Sequence, residues 1–140
     1  MIYMNICVCV DDAMGMSFFG KRLSRDKAMT EKLLSHTEYD KILISEYSAP
    51  LFSDTNDARV CVTSDEYASC TERDICFFEL EHITEYADKI EQIIIYKWNR
   101  KYPSDKKFPF SPADKGFTLT STHDFAGNSH DNITEEIWTK

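Results

Sequence analysis

Carboxylates, guanidinium groups and hydroxyls crowd three short stretches of this chain: Asp11-Asp12, Arg22-Leu23-Ser24-Arg25-Asp26 and Glu46-Tyr47-Ser48. Apolar runs stand beside these stretches, so they are expected at the ends of buried elements, along one crevice. Converging there, such groups would form a polar site for a small zwitterion, or for a molecule with separate cationic and anionic ends. The expected ligand-binding residues are Asp12, Met16, Arg22, Ser24, Arg25, Glu46 and Tyr47, and the candidate catalytic residue is Asp26. A carboxylate in a partly apolar cleft has a raised pKa and can relay a proton. The plainer role for Asp26 is to complement a helix dipole, worth about 0.3–1 kcal/mol. The plainer role for the whole set is a solvated rim of loops.

Other chemistries find less support. The four histidines, His36, His82, His123 and His130, show no metal-ligand spacing with one another or with cysteine. Asp11-Asp12 offers oxygen ligands for a hard cation, but adjacent acids in a loop rarely hold one, and no metal is expected. There is no Gly-x-Ser-x-Gly, and no cysteine stands among basic residues, so nucleophilic catalysis is not expected. The stretch from Lys97 to Lys107 is locally basic, with Trp98 and Tyr102 interleaved. A strand-end loop explains it as well as a nucleic-acid patch does.

The elements that must position these residues follow from composition and patterning. The chain has 140 residues, 42% hydrophobic and 13% aromatic, enough for one domain (residues 1–140) with a real core. Its net charge of -8 repels phosphate, which works against nucleic acid and anionic membrane as partners. Five cysteines without a C-x-x-C pair, most of them in apolar runs, suit core thiols better than a disulfide framework or a zinc site. The apolar N-terminal run has no basic flank and ends at Asp11-Asp12, so it reads as a buried strand and not a signal peptide. A cytoplasmic location is expected.

Residues 2–10 are apolar on both faces, as a central strand covered on both sides requires. Residues 11–23 read as a loop. A helix follows, with Ser24 as N-cap, Asp26 in its first turn, and Met29, Leu33 and Leu34 on its buried face. Further strands are expected at 41–45, 59–63 and 75–78. Ile83, Tyr86, Ala87 and Ile90 recur at helical spacing. A strand at 93–98 then completes a right-handed crossover that makes it the parallel neighbour of 75–78. Residues 117–123 and 132–138 form a closing antiparallel pair.

The end of the chain, from Phe108-Pro109 through the strand at 117–123, the polar loop Asp124 to His130 and the last strand, resembles the C-terminal hairpin of dihydrofolate reductases. The apolar first strand, Met14-Gly15-Met16 after it, and Asp26 at the following helix are similar as well. The resemblance implies a dihydrofolate reductase-like α/β fold: a mixed, mostly parallel central sheet flanked by helices, shortened after Ser64. It also implies that Met14-Gly15-Met16 closes over substrate and nicotinamide, and that Asp26 holds a pterin ring and assists its protonation. The cofactor residues depart from the pattern. Phe78-Glu79-Leu80-Glu81 stands where the family has a glycine run against the NADPH pyrophosphate, and Ser45-Glu46 where it has Gly-Arg for the extra phosphate. Only Thr63-Ser64 keeps the pattern of the third cofactor strand.

The expectation is therefore a non-reductase that keeps the crevice as a site for a small polar ligand or partner, with no cofactor. Replacing Arg22 or Asp26 with alanine is then expected to weaken binding with little loss of stability. The alternatives are a nicotinamide- or flavin-dependent reductase with Asp26 as proton relay, and a structural or interaction protein, for example a homodimer joined at a sheet edge.

Overall fold

The computed structural model describes residues 3–65 and 67–140; Ile2, expected in the first strand, lies outside them. In chain order the elements are β1 (Met4–Val10), β2 (Gly15–Phe18), β3 (Lys21–Arg22), α1 (Lys27–Leu34), β4 (Lys41–Ile44), β5 (Val60–Val62), β6 (Asp74–Phe77), β7 (Ile90–Lys97), β8 (Lys106–Lys107), β9 (Thr118–Phe125) and β10 (Ile133–Thr139). Seven strands form one sheet in the order β5-β4-β6-β1-β7-β10-β9. The pairs from β5 to β7 are parallel, and β10 runs antiparallel to both β7 and β9.

Alternation along the strands builds a core on each face of the sheet. On one face Ile6, Val8 and Val10 of β1 pack with Ile93 and Ile95 of β7, Cys76 of β6 and Leu43 of β4. Tyr67, Ile83, Phe108 and Phe117 close that face. On the other, Cys7, Ile75, Phe77, Ile94 and Tyr96 meet Met29 and Leu33 of α1. An eight-residue helix is marginal alone in water, so this packing is what holds α1.

The helix begins later than the spacing suggests. Asp26, not Ser24, is the N-cap: its backbone is extended (φ -156°, ψ 128°) and its carboxylate accepts the Ala28 N–H at 2.8 Å. Residues 11–23, expected to be loop, contain the β2–β3 hairpin, and β2 also pairs with β8 to form a three-stranded sheet.

The segment after β6 differs too. Ile83–Lys89 is a 3-10 helix, and Ile90 already belongs to β7. The two strands it joins are parallel but not neighbours, because β1 lies between them. A 3-10 coil advances about 2.0 Å per residue against ~1.5 Å for an α-helix, which suits a short connection that must step over β1.

Candidate functional site

The parallel strands β4, β5, β6 and β1 end on one side of the sheet, where open α/β sheets take their ligands. Every stretch singled out above lies at or beside those ends. The structure nevertheless divides the expected crevice into three parts, and an ion pair forms the partition.

Arg22 leaves β3 and reaches Glu79, just past β6, with Nε and Nη2 donating to the carboxylate at 2.8 and 3.0 Å. Ser48 Oγ donates to the same carboxylate at 2.7 Å. The guanidinium lies 4.3 Å from the centroid of the Tyr47 ring and donates to the Tyr47 carbonyl at 2.9 Å, while the Tyr47 hydroxyl accepts the Arg22 N–H. The bond to Glu79 raises the Arg22 pKa further, against the opposing effect of burial. The cavity left beside Met16, Arg22, Ser24 and Glu79 is only about 10 Å³, roughly the space one water needs.

On one side of this plug lies a cleft of about 300 Å³ between α1 and the segment that follows β4. Arg25, Lys27, Thr30 and Glu31 face Pro50, Phe52, Asp54 and Asn56 across it, so both signs of charge line the walls. On the other side Ser45, Glu46, Tyr47, Thr63, Ser64, Tyr67 and Glu81 enclose about 310 Å³. Asp12 is exposed and borders none of these three spaces.

The backbone that a phosphate would meet in this second cleft is already occupied. Glu81 turns its carboxylate onto the amides of its own loop, accepting Glu79 N–H at 3.2 Å and Leu80 N–H at 3.3 Å. The Tyr67 hydroxyl adds a third bond at 3.1 Å. The chain thus supplies its own anion here, and Glu46 stands at the mouth.

Asp26 sits between α1 and the loop joining β9 to β10, with 5% of its surface exposed. One carboxylate oxygen accepts Ala28 N–H at 2.8 Å and Asn128 N–H at 2.9 Å. The other accepts Ser129 N–H and His130 Nδ1–H at 2.9 Å, with His130 N–H and Ser129 Oγ–H at 3.2 Å. Burial by itself pushes this carboxyl up. The bonds from Asn128, His130, Ser129 and Ala28 outweigh it and hold the pKa well below the usual carboxylate range. A proton relay needs the opposite: a raised pKa and an oxygen left for the substrate.

The loop is shaped around that carboxylate. A Cβ on Gly127 would lie 2.6 Å from Asp26 Oδ2 and 2.6 Å from the His130 carbonyl, so only glycine fits without displacement. Asp11 works similarly nearer the first strand, accepting Gly15, Ala13 and Tyr102 N–H at 2.6, 2.9 and 3.0 Å. Among the described residues no group of three His, Cys, Asp or Glu side chains is placed to hold a metal ion.

His130 carries the network further. Its ring stacks on Trp98 at 4.6 Å, and Nε2 lies 3.0 Å from Ser24 Oγ and 3.1 Å from the Tyr102 hydroxyl. Ser24, His130 and Asp26 therefore form a hydroxyl–imidazole–carboxylate chain, an arrangement that spacing along the sequence does not reveal. Such a chain activates a serine when an acyl group can reach it. Here the adjoining void is only about 10 Å³, and Tyr102 shares the same ring nitrogen. The network fastens the β9–β10 loop to the start of α1.

No family model matches the chain, and no curated protein matches it. Among solved structures, a dihydrofolate reductase from Enterococcus faecalis, complexed with NADP(H) and RAB-propyl, is similar with a TM-score of 0.66 and 9% sequence identity. The similarity covers 98% of this chain and 95% of that one. With its mixed, mostly parallel sheet and antiparallel C-terminal strands, this chain has the dihydrofolate reductase-like fold.

Proposed function

We propose that this protein is not a reductase and does not bind NADPH in the manner of that fold's enzymes, but binds a small zwitterionic molecule in the cleft beside α1. The Arg22–Glu79 plug carries this reading. It leaves about 10 Å³ where the two halves of the crevice would join, so a cofactor ring and a substrate have no common space in which to meet. Glu46 and the loop-bound Glu81 add unfavourable charge for phosphates in the neighbouring cleft. Losing even one charge-assisted bond to a phosphate costs roughly 1.5–3 kcal/mol, before any repulsion is added.

The remaining cleft of about 300 Å³ falls at the small end of ligand pockets. Arg25 and Lys27 would meet an anionic group, and Glu31 and Asp54 a cationic one. Asp26 contributes to its wall as a structural anchor and takes no proton from the ligand.

A thermal-shift panel of free amino acids at millimolar concentration tests the binding site. A ligand present at a hundred times its dissociation constant stabilises the native state by about 2.7 kcal/mol. The shift should disappear in Arg25→Ala, whose exposed side chain makes little contribution to folding. A shift that survives unchanged in Arg25→Ala and in Glu31→Ala would place the ligand elsewhere.

A further inference from the structure

All five cysteines are free, yet two of them lie almost within bonding reach. Cys70 ends the turn before β6 and Cys76 lies within β6; their sulfurs are 3.1 Å apart. That is about 1 Å beyond the ~2.05 Å of a disulfide bond. Both belong to the same buried cluster as Tyr67 and Phe78. We propose that Cys70 and Cys76 are a reversible oxidation site, converted to a disulfide by a peroxide, which fastens the wall of the cleft that Tyr67 borders.

The two sulfurs have different roles. The Cys76 thiol donates to the Cys70 sulfur, which keeps the proton on Cys76. That bond outweighs burial at Cys70 and lowers its pKa, while the same bond and burial raise that of Cys76. Cys70 is also the more accessible, at 6% exposure against 0%. Burial instead pushes the Cys7 and Cys9 thiols well up, which leaves them unreactive.

In the first step the Cys70 thiolate attacks one peroxide oxygen. The O–O bond breaks, hydroxide leaves and becomes water on taking a proton, and Cys70 becomes a sulfenic acid. In the second step the Cys76 sulfur attacks Cys70, the S–O bond breaks, and water leaves with the Cys76 proton. Two thiols and one peroxide give one disulfide and two waters, with the peroxide reduced by two electrons.

The position gives this bond a consequence. The Tyr67 hydroxyl lies within hydrogen-bond distance of both the Phe77 carbonyl and the Glu81 carboxylate, so the turn carrying Cys70 also holds a wall of the cleft that contains Ser45, Glu46 and Thr63. A disulfide to Cys76 would prevent that turn from lifting away from β6. The 310 Å³ cleft affected is separate from the one beside α1, so the bridge has this role whether or not a ligand binds there.

The test is to treat reduced protein with hydrogen peroxide, alkylate it under denaturing conditions and map the cysteines by mass spectrometry. The expected result is a Cys70–Cys76 bridge that dithiothreitol reverses, with Cys7, Cys9 and Cys61 still alkylated. The oxidised protein should melt several degrees higher, because the bridge restricts the unfolded chain. Cys70→Ser should form no bridge while keeping the circular dichroism of the native fold. Should Cys70 and Cys76 both remain alkylatable in wild type after peroxide, or should Cys70 stop at a sulfinic acid, the proposal is overturned.

Discussion

Asp26→Asn separates the two roles open to this residue. As a proton relay, Asp26 would lose activity on this change and keep its fold. As an anchor, its loss should be felt in stability. An asparagine retains one carbonyl oxygen and places an NH2 group where the other oxygen stood. Its better orientation keeps the oxygen facing Ser129 and His130, and turns the NH2 towards the N–H groups of Ala28 and Asn128. Two charge-assisted bonds worth roughly 1.5–3 kcal/mol each are then replaced by donors facing donors. We expect a loss of about 4 kcal/mol, a large fraction of the 5–15 kcal/mol typical of a domain.

Urea unfolding measures this as a lower midpoint with an unchanged slope. The pH dependence provides a second readout. Hydrogen bonding depresses the folded-state pKa of Asp26, so its stabilisation is complete above the unfolded value of about 3.9 and is lost as pH falls through the folded value. The difference between wild type and Asp26→Asn should stay constant from neutrality to mildly acid pH and shrink only in stronger acid. A variant within ~1 kcal/mol of wild type at neutral pH would refute the anchor, since one intact bond of this kind exceeds that value.

Gly127→Ala should destabilise by about 1–3 kcal/mol through overpacking against Asp26, and its effect should not add to that of Asp26→Asn, as a double-mutant cycle in urea would show. His36 donates to Glu135 at 2.7 Å, which raises the His36 pKa. This contribution is complete below the unfolded pKa of about 6.5 and is lost as pH rises through the folded value. Melting curves of wild type should therefore show a decline above that pH which His36→Gln lacks. Glu79→Ala removes the carboxylate that the Arg22 guanidinium and the Ser48 hydroxyl share, leaving Arg22 only the Tyr47 carbonyl; with Arg22 partly exposed, a loss of about 2–3 kcal/mol is expected in urea.

The parts of the fold that could be read from sequence are those with a local signature. Residues 6–10 are apolar without alternation because β1 is covered on both faces, and the two cores take these side chains in turn. The last two strands follow one another and are joined by a polar loop, so their pairing is local. What could not be read depends on distant partners. β2 is four residues long, and part of its pairing comes from β8, far along the chain. The position of β1 between β6 and β7 cannot be seen in the segment that joins them.

The site shows the same division. Asp26 could be placed at a helix start, but Asn128, Ser129 and His130 approach it from about a hundred positions away, and that approach replaces a raised pKa with a lowered one. Arg22, expected to line an open crevice, instead reaches Glu79 and forms an ion pair there. For this reason Arg22→Ala and Asp26→Ala, expected from sequence alone to leave stability almost untouched, should each cost stability.

A calorimetric titration with NADPH tests most directly the proposal that the Arg22–Glu79 plug closes the space a nicotinamide cofactor would need in this fold. No heat of binding is expected at millimolar NADPH, and no change in melting temperature. Sub-millimolar binding would contradict this proposal, because the Arg22–Glu79 plug and the Glu81-capped loop would then have to open for the cofactor.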